Sequence, residues 1–384
     1  MIAGPMSGAA LREASHGLAG AVVRRTVELA EIPAPTGQED ARRERVTSWW
    51  QEDGWADVHA DGAGNLWARV RPGDQPAVIL AAHLDTVFDA KVDHRVRRDG
   101  TLLRGPGVGD DSVGVAALSA VGTLLAGAGG TPVWLVATVG EEGLGNLRGM
   151  MEVIRQDQVP LAAVVAIEGN YLGRVANIGV GSTRWQVTVS GPGGHAWEQA
   201  NAPSAVHTAA RMVAELAALP RRGSGPGARG KSSVNVGVFS GGEAVNARAR
   251  RAVFLLDLRA AQATTLDTLE ARARRIIAAP AADVTAEIEE LGRRPAGELA
   301  ATHPLAAAAA TALRKAGLTS RRTAASTDAN AAHAAGVPAI AIGVTTGSGE
   351  HTPDEWIDTA PLASGLACAA DTITRWEGAA HDRA

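Results

Sequence analysis

The sequence contains very little cysteine, and this excludes two kinds of site. Its 384 residues include a single cysteine, Cys368, which can form neither an internal disulfide nor a thiolate metal site. Cys368 lies in an alanine-rich stretch that is typical of a helix near the C-terminus. We therefore expect it to be a small core residue and not a nucleophile.

The chain also lacks an excess of charge of either sign and lacks a long apolar run. Lysine and arginine number 37 against 41 acidic residues, a net charge of -4 with no basic cluster. This argues against nucleic acid or an acidic membrane surface as the main partner. Residues 1–6 do not form a secretory signal, and no apolar run reaches about 18 residues without glycine, proline or charge. We expect a cytoplasmic protein that does not associate with membranes.

What the chain does have is the composition of a folded protein and the length for more than one core. Hydrophobic residues make up 46% of the sequence and charged residues 20%, which is typical of globular proteins. A chain of 384 residues exceeds the size of one ordinary core, so two domains are expected.

Strand-like and helix-like runs alternate in the first half of the chain. Apolar runs typical of buried strands cover residues 77–82, 133–139 and 162–167, and small apolar residues at helical spacing cover 112–125. This alternation predicts an α/β fold with a mixed, mostly parallel sheet flanked by helices. In such sheets ligands bind beyond the carboxyl ends of the strands.

The pattern changes near residue 183 and changes back near residue 295. Between these points strand-like and helix-like runs follow the order β-α-β-β-α-β, at residues 183–190, 204–219, 233–239, 249–258, 266–279 and 284–291, with a Gly/Ser/Arg loop at 221–231. This order is typical of a small α+β sandwich with one exposed sheet face. A helix at 305–316, a strand at 339–343 and a closing helix at 361–376 then complete the chain. We predict one domain formed by residues 1–182 and 295–384, into which residues 183–294 are inserted.

Two adjacent glutamates, Glu141 and Glu142, follow the apolar run at 133–139. Like charges repel, and burying either carboxylate is costly unless a cation is near. Neighbours in an extended segment point to opposite sides, so one glutamate could bind a metal while the other moves a proton. The alternative is a solvated acidic turn.

Four further residues have the side chains of metal ligands and follow strand-like runs or lie in glycine-rich loops: His83, Asp110, Glu168 and His351. Zinc takes imidazole and carboxylate ligands, and two zinc ions can share a bridging carboxylate. With Glu142 the set supplies three ligands to each of two metals. The alternatives are histidines that are ordinary core or surface residues, and an Asp110 or Asp111 that caps the following helix.

Asp85 stands two residues after His83 and would point in the same direction along a strand. Its carboxylate could hold the second imidazole nitrogen of His83 and thus fix the tautomer that binds metal. The alternative is that Asp85 caps the following turn.

Five ordered motifs resemble those of the dinuclear zinc hydrolases that include glutamate carboxypeptidase, peptidase T, aminoacylase and succinyl-diaminopimelate desuccinylase. They are His83-Leu84-Asp85-Thr86-Val87, Gly105-Pro106-Gly107-Val108-Gly109-Asp110-Asp111, Gly140-Glu141-Glu142-Gly143, Ser190-Gly191-Pro192-Gly193-Gly194-His195-Ala196 and Gly349-Glu350-His351-Thr352. The resemblance covers nearly the whole chain. It implies a zinc exopeptidase-like fold whose inserted domain serves as a lid or dimerisation domain.

The resemblance also implies roles for the residues that match. His83 and Glu168 would bind one zinc, Glu142 and His351 the other, and Asp110 would bridge them, with manganese or cobalt as possible replacements. Glu141 would be the general base that takes a proton from the attacking water and passes it to the leaving amine. Residues 326–330 resemble a Ser-Asp-Ala-Asn loop near the site.

Three residues of the inserted domain also match the family. His195 is similar to the histidine that stabilises the transition state, which in dimeric members reaches the partner subunit's site. Asn246 is similar to a substrate-binding asparagine, and Arg259 to an arginine that grips a substrate carboxylate, a task that suits a bidentate guanidinium. The alternatives are a turn histidine and two ordinary surface residues. The resemblance implies a homodimer formed through the inserted domain.

The implied activity is hydrolysis of an amide or peptide bond in a small peptide or N-acyl amino acid, as in carboxypeptidases and dipeptidases. Glu168 resembles the carboxypeptidase and deacylase members, since the aminopeptidases tend to have aspartate there. The alternatives are an aminoacylase, deacylase or N-carbamoyl amidohydrolase, and a non-catalytic binding member of the fold. A non-catalytic member would be expected to lack the base or a ligand, whereas Glu141 and all five ligands are present.

Overall fold

A computed structural model describes residues 8–127, 129–219, 230–280 and 282–381 of the chain. Contacts divide the chain into two compact units. The main unit comprises Met1–Ile178 and Glu298–Ala384, and the inserted unit comprises Gly179–Gly297. The loop expected at 221–231 lies outside the described residues except for its last two.

The helices of the main unit are α1 (Gly8–Ala30), α2 (Asp40–Glu52), α3 (Val113–Ala126), α4 (Arg148–Arg155), α7 (Pro304–Lys315), α8 (Ala329–Ala334) and α9 (Leu362–His381); those of the inserted unit are α5 (Ala205–Ala217) and α6 (Ala263–Ile277). Helix α7 starts where the sequence favours a start. Its first residue is Pro304, whose missing N–H costs nothing there, and the side chain of His303 accepts the N–H of Leu305 at 3.2 Å.

The main unit is built on a nine-stranded mixed sheet. Its strands are β1 (Ala56–Ala60), β2 (Leu66–Arg71), β3 (Ala77–His83), β6 (Val133–Thr138), β7 (Leu161–Ile167), β8 (Arg174–Gly179), β15 (Gly297–Glu298), β16 (Arg321–Ala325) and β17 (Ala339–Ile342). The order is β1-β2-β6-β3-β7-β17-β8-β15, with β16 beside β8. The central strands β6, β3, β7 and β17 are parallel, which confirms the predicted fold class.

The parallel strands are buried because their sequences are apolar on both faces. All seven residues of β3 are buried, as expected for a strand covered on both sides. The pairing register aligns the strand ends, since His83 lies beside Thr138 and Ile167 lies beside Ile342. Residues that follow these ends therefore meet at one edge of the sheet.

A second, smaller sheet of the main unit was not expected from the sequence. It consists of β4 (Arg97–Asp99), β5 (Leu102–Arg104), β18 (Thr346–Ser348) and β19 (Trp356–Asp358) in the order β18-β19-β5-β4. Three-residue strands are too short to show an alternation. Pairing of β19 with β5 sets the β18–β19 loop beside the glycine-rich turn that follows β5.

The inserted unit packs two helices on one face of an antiparallel sheet, as predicted. The sheet has the order β11-β13-β9-β14, from β9 (Gly181–Ser190), β11 (Ser232–Gly241), β13 (Arg251–Ala260) and β14 (Thr285–Arg294). Trp185, Phe254 and Leu256 are among the residues of its core, together with residues of α5 and α6. A two-stranded ribbon of β10 (Gly194–His195) and β12 (Ala247–Arg248) completes the unit.

Helices α3 and α9 belong to the core of the main unit. The segment Val108–Ala126 is long and apolar enough to cross a membrane by composition, but 89% of its most apolar window is buried inside the protein. Cys368 in α9 is 6% exposed, which confirms its assignment as a core residue. Burial raises the pKa of its thiol to about 12, with a further contribution from Asp371.

Candidate metal centre

Three of the expected metal ligands form a compact cluster. One nitrogen or oxygen atom from each of His83, Asp110 and Glu142 lies within 4.8 Å of the other two. The residues come from three separate segments, namely the end of β3, the turn after β5 and the turn after β6. The alignment of the strand ends thus brings together side chains that are distant in sequence.

Asp110 lies between two imidazoles. Its Oδ1 is 2.9 Å from Nε2 of His83, and its Oδ2 is 3.2 Å from Nε2 of His351. The same nitrogen of His351 is 3.1 Å from Oε1 of Glu142. Each oxygen of Asp110 therefore faces a different imidazole, an arrangement that suits a carboxylate shared by two cations.

Glu141 and Glu168 add two more buried carboxylates, with side chains in residues that are 5% and 8% exposed. Glu168 lies outside the three-residue cluster, but it is close enough to its neighbours for their charges to act on it. Burial raises the pKa of Glu168 well above its usual value, His83 opposes this, and the charges of Asp111 and Glu141 add to it. Anionic carboxylates are therefore costly here without a cation.

Asp85 acts on both the histidine and the glutamate pair. Nδ1 of His83 is 2.9 Å from the backbone carbonyl of Asp85, whereas the carboxylate is 3.7 Å away. The carboxylate instead accepts the N–H groups of Glu141 at 3.0 Å and Glu142 at 2.9 Å, and the hydroxyl of Thr36 at 2.9 Å. The expected orientation of the imidazole thus comes mainly through the backbone, and the side chain holds the turn of the two glutamates.

Charges within the cluster compensate one another through the two histidines. Burial opposes ionisation of Asp110, but hydrogen bonds from His351 and His83 hold its pKa well below the usual range. Hydrogen bonds to Asp110 and Glu142 raise the pKa of His351 to about 10. Protons on the imidazole nitrogens occupy the positions where a divalent cation would bind. Metal binding would therefore release these protons.

Asp111 is a buried carboxylate whose structural role the sequence did not reveal. One oxygen accepts the N–H of Gly169 at 2.9 Å, and the other accepts the N–H of His83 at 3.3 Å. Burial raises the pKa of Asp111 well above its usual value. It therefore ties the end of β3 to the turn after Glu168 and does not cap helix α3. Its position beside Asp110 was the only signal in the sequence.

Two further buried glutamates support the turns of the site. Glu355 accepts N–H groups of the turn that carries Asp110, and burial raises the pKa of Glu355 to about 8. Glu39 accepts the N–H of Gly140 at 3.0 Å and binds Arg148 at 3.1 Å. No motif marks Glu39, and Glu355 could have been suspected only because it stands four residues after His351.

Arg42 is a buried cation near these carboxylates. It donates to the backbone carbonyls of Ile32 at 2.8 Å and Leu84 at 3.0 Å. Burial lowers the pKa of its guanidinium to about 10, although Asp85 and Asp111 act in the opposite direction. The buried carboxylates outnumber this one buried guanidinium, so their ionised forms depend on further positive charge, from the imidazoles or from a bound cation.

The donor set fits a divalent metal. Imidazole nitrogens and carboxylate oxygens are the ligands that zinc takes at catalytic sites, and they also accept manganese and cobalt. The carbonyl of Asp85 faces Nδ1 of His83, so a neutral imidazole carries its proton on Nδ1 and presents the lone pair of Nε2 to the cluster. A cation bound among these donors would stabilise the ionised forms of the buried carboxylates.

The loop at 326–330 supports the same edge of the sheet. Asp328 accepts the hydroxyl of Thr138, the last residue of β6, at 2.6 Å. The side chain of Asn330 accepts the N–H of Thr327 at 3.1 Å and so closes the loop on itself. The loop therefore contacts the strand that leads into the glutamate pair.

The other expected site residues, His195, Asn246 and Arg259, belong to the inserted unit, whereas the expected metal ligands belong to the main unit. Nδ1 of His195 lies 3.3 Å from the backbone nitrogen of Trp197 and 3.4 Å from that of Glu198. A ring nitrogen that accepts N–H groups carries no proton, so neutral His195 carries its proton on Nε2. Its exposed Nε2–H is a hydrogen-bond donor.

Asn246 and Arg259 are accessible to solvent. The backbone carbonyl of Asn246 accepts the N–H of Ala196 at 2.8 Å, next to His195 in the ribbon of β10 and β12. Nε of Arg259 donates to Asp257 at 2.7 Å, and the side chain is 40% exposed. The ion pair fixes the guanidinium through Nε and leaves its outer edge for other acceptors.

Comparison with known proteins identifies one family. The model of the peptidase family M20/M25/M40 matches residues 79–375. No curated protein is similar enough in sequence to match the chain.

Solved structures share the fold along nearly their whole length. The aminopeptidase PepT of Bacillus cereus is 19% identical with a TM-score of 0.75, over 93% of this chain and 98% of that one. A tripeptidase of Staphylococcus aureus is 20% identical with a TM-score of 0.76, over 94% and 99%. YXEP of Bacillus subtilis, a dinuclear metal-binding peptidase, is 15% identical with a TM-score of 0.67, over 94% and 99%. At these identities the likeness establishes the fold.

Proposed function

The chain belongs to the peptidase family M20/M25/M40, and we propose that it is a two-zinc hydrolase of small peptides or N-acyl amino acids. The observation that carries this proposal is the position of Asp110, whose two oxygens face His83 and His351 at 2.9 and 3.2 Å. A dinuclear metal-binding peptidase among the structural neighbours supports two metal positions.

In this proposal Asp110 would serve two divalent ions, of which zinc is tested first. His83 and Glu168 would hold one ion, and Glu142 and His351 would hold the other. When bound, the ions would supply polarisation of the scissile carbonyl and a lower pKa of the attacking water. The inward-facing donors and the excess of buried carboxylates support this assignment.

Glu141 is proposed as the general base. It is buried, and Asp85 fixes its backbone N–H and that of Glu142. Because the two glutamates are adjacent, their side chains can point in different directions, so that Glu142 faces the cluster and Glu141 acts on a proton. Glu141 takes a proton from the attacking water and gives it to the leaving amine.

The structural neighbours named as an aminopeptidase and a tripeptidase favour a small peptide as substrate. Glu168 slightly favours a carboxypeptidase- or dipeptidase-like activity over an aminopeptidase activity, because the aminopeptidases of the resembled family tend to have aspartate at this position. Glu168 is equally compatible with an aminoacylase, deacylase or N-carbamoyl amidohydrolase. Hydrolysis of dipeptides with free and with blocked amino termini, beside N-acetyl and N-carbamoyl amino acids, separates these activities.

We propose that the inserted unit contributes His195, Asn246 and Arg259 to substrate binding. The Nε2–H of His195 can donate to the oxyanion of the transition state, as the histidine of the resembled family does. The outer N–H groups of Arg259 can donate to a substrate carboxylate. Replacing His195 with alanine should lower kcat more than it raises KM, and an unchanged kcat would contradict the role.

We also propose a cytoplasmic homodimer that forms through the inserted unit. Strand β11 is an edge strand without a charged residue over Ser232–Gly241, and Val238 and Phe239 on it are 51% and 42% exposed. The opposite edge strand, β14, carries three glutamates and two arginines, the kind of charge that prevents strand pairing. Sedimentation of wild type and of a Val238→Lys variant tests this, since a stable wild-type monomer would refute it.

The replacement Glu141→Gln tests the catalytic proposal most directly. Glutamine keeps the size of the side chain but cannot take a proton, so zinc content should stay at the wild-type value while kcat falls by about 10²–10⁴-fold. Zinc content is measured on the dialysed protein, and kcat with the best dipeptide of the screen. Wild-type turnover by this variant would refute the role of Glu141.

A further inference from the structure

Glu355 holds the glycine-rich turn that carries Asp110. Its side chain is fully buried, and Oε2 accepts the N–H of Gly107 at 2.8 Å. Oε1 accepts the N–H groups of Gly109 at 2.9 Å and Asp110 at 2.8 Å. The backbone carbonyl of Glu355 accepts the N–H of Gly105 at 2.9 Å. The turn is therefore bound to this one residue along most of its length.

The sequence of the turn is matched to this close contact. Gly107 has a φ of 67°, in the region that favours glycine. A Cβ atom at Gly109 would lie 2.8 Å from Oε1 of Glu355 and 2.9 Å from a methyl group of Ile357. Glycine at 109 thus lets the backbone approach the carboxylate closely enough to donate two successive N–H groups to one oxygen.

Glu355 also anchors the loop that carries His351. This loop joins β18 to β19, and the side chain of His351 is 55% exposed. The N–H of Glu355 donates to the carbonyl of Thr352 at 3.1 Å, and the N–H of Thr352 donates to Gly349 at 3.0 Å. One buried residue therefore connects the loop of His351 to the turn of Asp110.

We propose that Glu355 is a positioning residue for one of the two metal positions, the one formed by Glu142, His351 and the outer oxygen of Asp110. It fixes the amide of Asp110 relative to the loop of His351 and so keeps Oδ2 of Asp110 aimed at Nε2 of His351. Both oxygens of Glu355 are occupied by backbone N–H groups, so it is not itself a ligand. The inference rests on the proposed two-metal function.

The position formed by His83 and Glu168 has different supports. His83 belongs to a fully buried strand, and Asp111 ties its N–H to the turn after Glu168. This position receives no ligand from the β18–β19 loop and shares only Asp110 with the other. Loss of the Glu355 carboxylate should therefore weaken the position that contains His351 more than the position that contains His83.

The replacement Glu355→Gln tests this, with Asp61→Asn as a matched control. An amide has one oxygen, so in Glu355→Gln either Gly107 or the pair Gly109 and Asp110 must face an NH₂ group. Asp61 also accepts several backbone N–H groups, those of Ala63, Gly64 and Asn65. It lies between β1 and β2, in the main unit but with no contact to the metal cluster among its hydrogen bonds.

Metal-free protein is titrated with zinc against a chromophoric chelator, and circular dichroism confirms folding. Wild type should bind two equivalents. In Glu355→Gln we expect one equivalent weakened about 10–100-fold, the usual effect of removing a residue that orients a ligand, and the other weakened much less. Asp61→Asn should bind both equivalents as wild type does, even if its unfolding midpoint falls.

Equal affinities in Glu355→Gln and wild type would overturn the inference, as would equal weakening of both positions. If Glu355→Gln does not fold, Glu355→Asp, which keeps the charge on a shorter side chain, takes its place with the same expectation. Failure of both variants to fold would assign Glu355 to folding alone and refute the proposal. A wild type that binds fewer than two zinc equivalents would instead refute the proposed two-metal function.

Discussion

Replacing Asp85 with asparagine tests whether this carboxylate acts by holding the backbone of the glutamate pair. Asp85 is fully buried and accepts three hydrogen bonds, from the N–H groups of Glu141 and Glu142 and from Thr36. Burial opposes its ionisation, but the nearby imidazole of His83 and the two backbone N–H groups lower its pKa. The carboxylate is therefore an anion in the folded protein.

The size of the effect follows from the number of acceptors that asparagine retains. In its better orientation the amide oxygen accepts from Glu142 and Thr36, while its NH₂ group faces the N–H of Glu141. One hydrogen bond to a charged acceptor is lost, and one buried N–H is left without a partner, so the free energy of unfolding should fall by about 2–3 kcal/mol. A typical domain has about 5–15 kcal/mol, so the variant should still fold.

The expected functional result is larger than the loss of stability alone would produce. The backbone of Glu141 loses its anchor, so kcat should fall by about 10–100-fold while KM changes little. Stability is measured by urea unfolding of the zinc-loaded protein, and kcat with a dipeptide substrate. The matched control is Thr36→Val, which removes the third hydrogen bond but keeps both backbone N–H bonds. It should lose about 1 kcal/mol and keep wild-type turnover.

Two results would refute this reasoning. Wild-type stability and turnover in Asp85→Asn would show that the hydrogen bonds to the glutamate pair have no consequence. Thr36→Val keeps the hydrogen bonds from the N–H groups of Glu141 and Glu142 to Asp85. An equal loss of turnover in this variant would show that the loss in Asp85→Asn does not come from the hydrogen bond with Glu141.

Three further predictions concern metal, acid and thiol chemistry. Adding zinc to 100 times its Kd should stabilise the metal-free protein by about 2.7 kcal/mol per site, and a chelator should reverse the shift of Tm; an unchanged Tm would count against metal binding. Burial lowers the pKa of His333 to about 4, so the unfolded chain binds the proton more readily. The free energy of unfolding should therefore decrease as the pH falls from about 6.5 to about 4. Urea unfolding at pH 7 and at pH 4.5 should show a smaller decrease for His333→Gln than for wild type. Because burial raises the pKa of Cys368 to about 12, its thiol should resist iodoacetamide at pH 8 in the native protein and react only after unfolding, as mass spectrometry would show.

The main elements of the fold could be predicted because their sequences carry a strong period. The apolar run at 77–82 became β3 (Ala77–His83), and the alternating run at 183–190 became β9 (Gly181–Ser190), whose buried face alternates with a half-buried one. The sheet of β18, β19, β5 and β4 was missed. Its strands have three residues each, so no period can be read from them, and their pairing is decided by contacts distant in sequence.

The candidate ligands could be listed from the sequence because metal-binding side chains are few and follow strand ends. The residues that hold them in place could not. Glu355, Asp111 and Glu39 act through backbone N–H groups of other segments. Any peptide group can donate such a hydrogen bond, so nothing in the sequence of the partner marks it. Only the folded structure shows which buried carboxylate faces which turn.

The pair Asp110 and Asp111 shows why two adjacent acids cannot be assigned by sequence alone. Asp110 faces two imidazoles and Asp111 faces two backbone N–H groups, although their side chains are chemically identical. The difference is set by the backbone of the turn, which Glu355 holds through the N–H of Asp110. The same logic applies to Glu141 and Glu142, whose N–H groups are held by Asp85. In each pair a third carboxylate, distant in sequence, fixes the direction in which the two acids point, and exchanging roles within a pair would require moving that third residue.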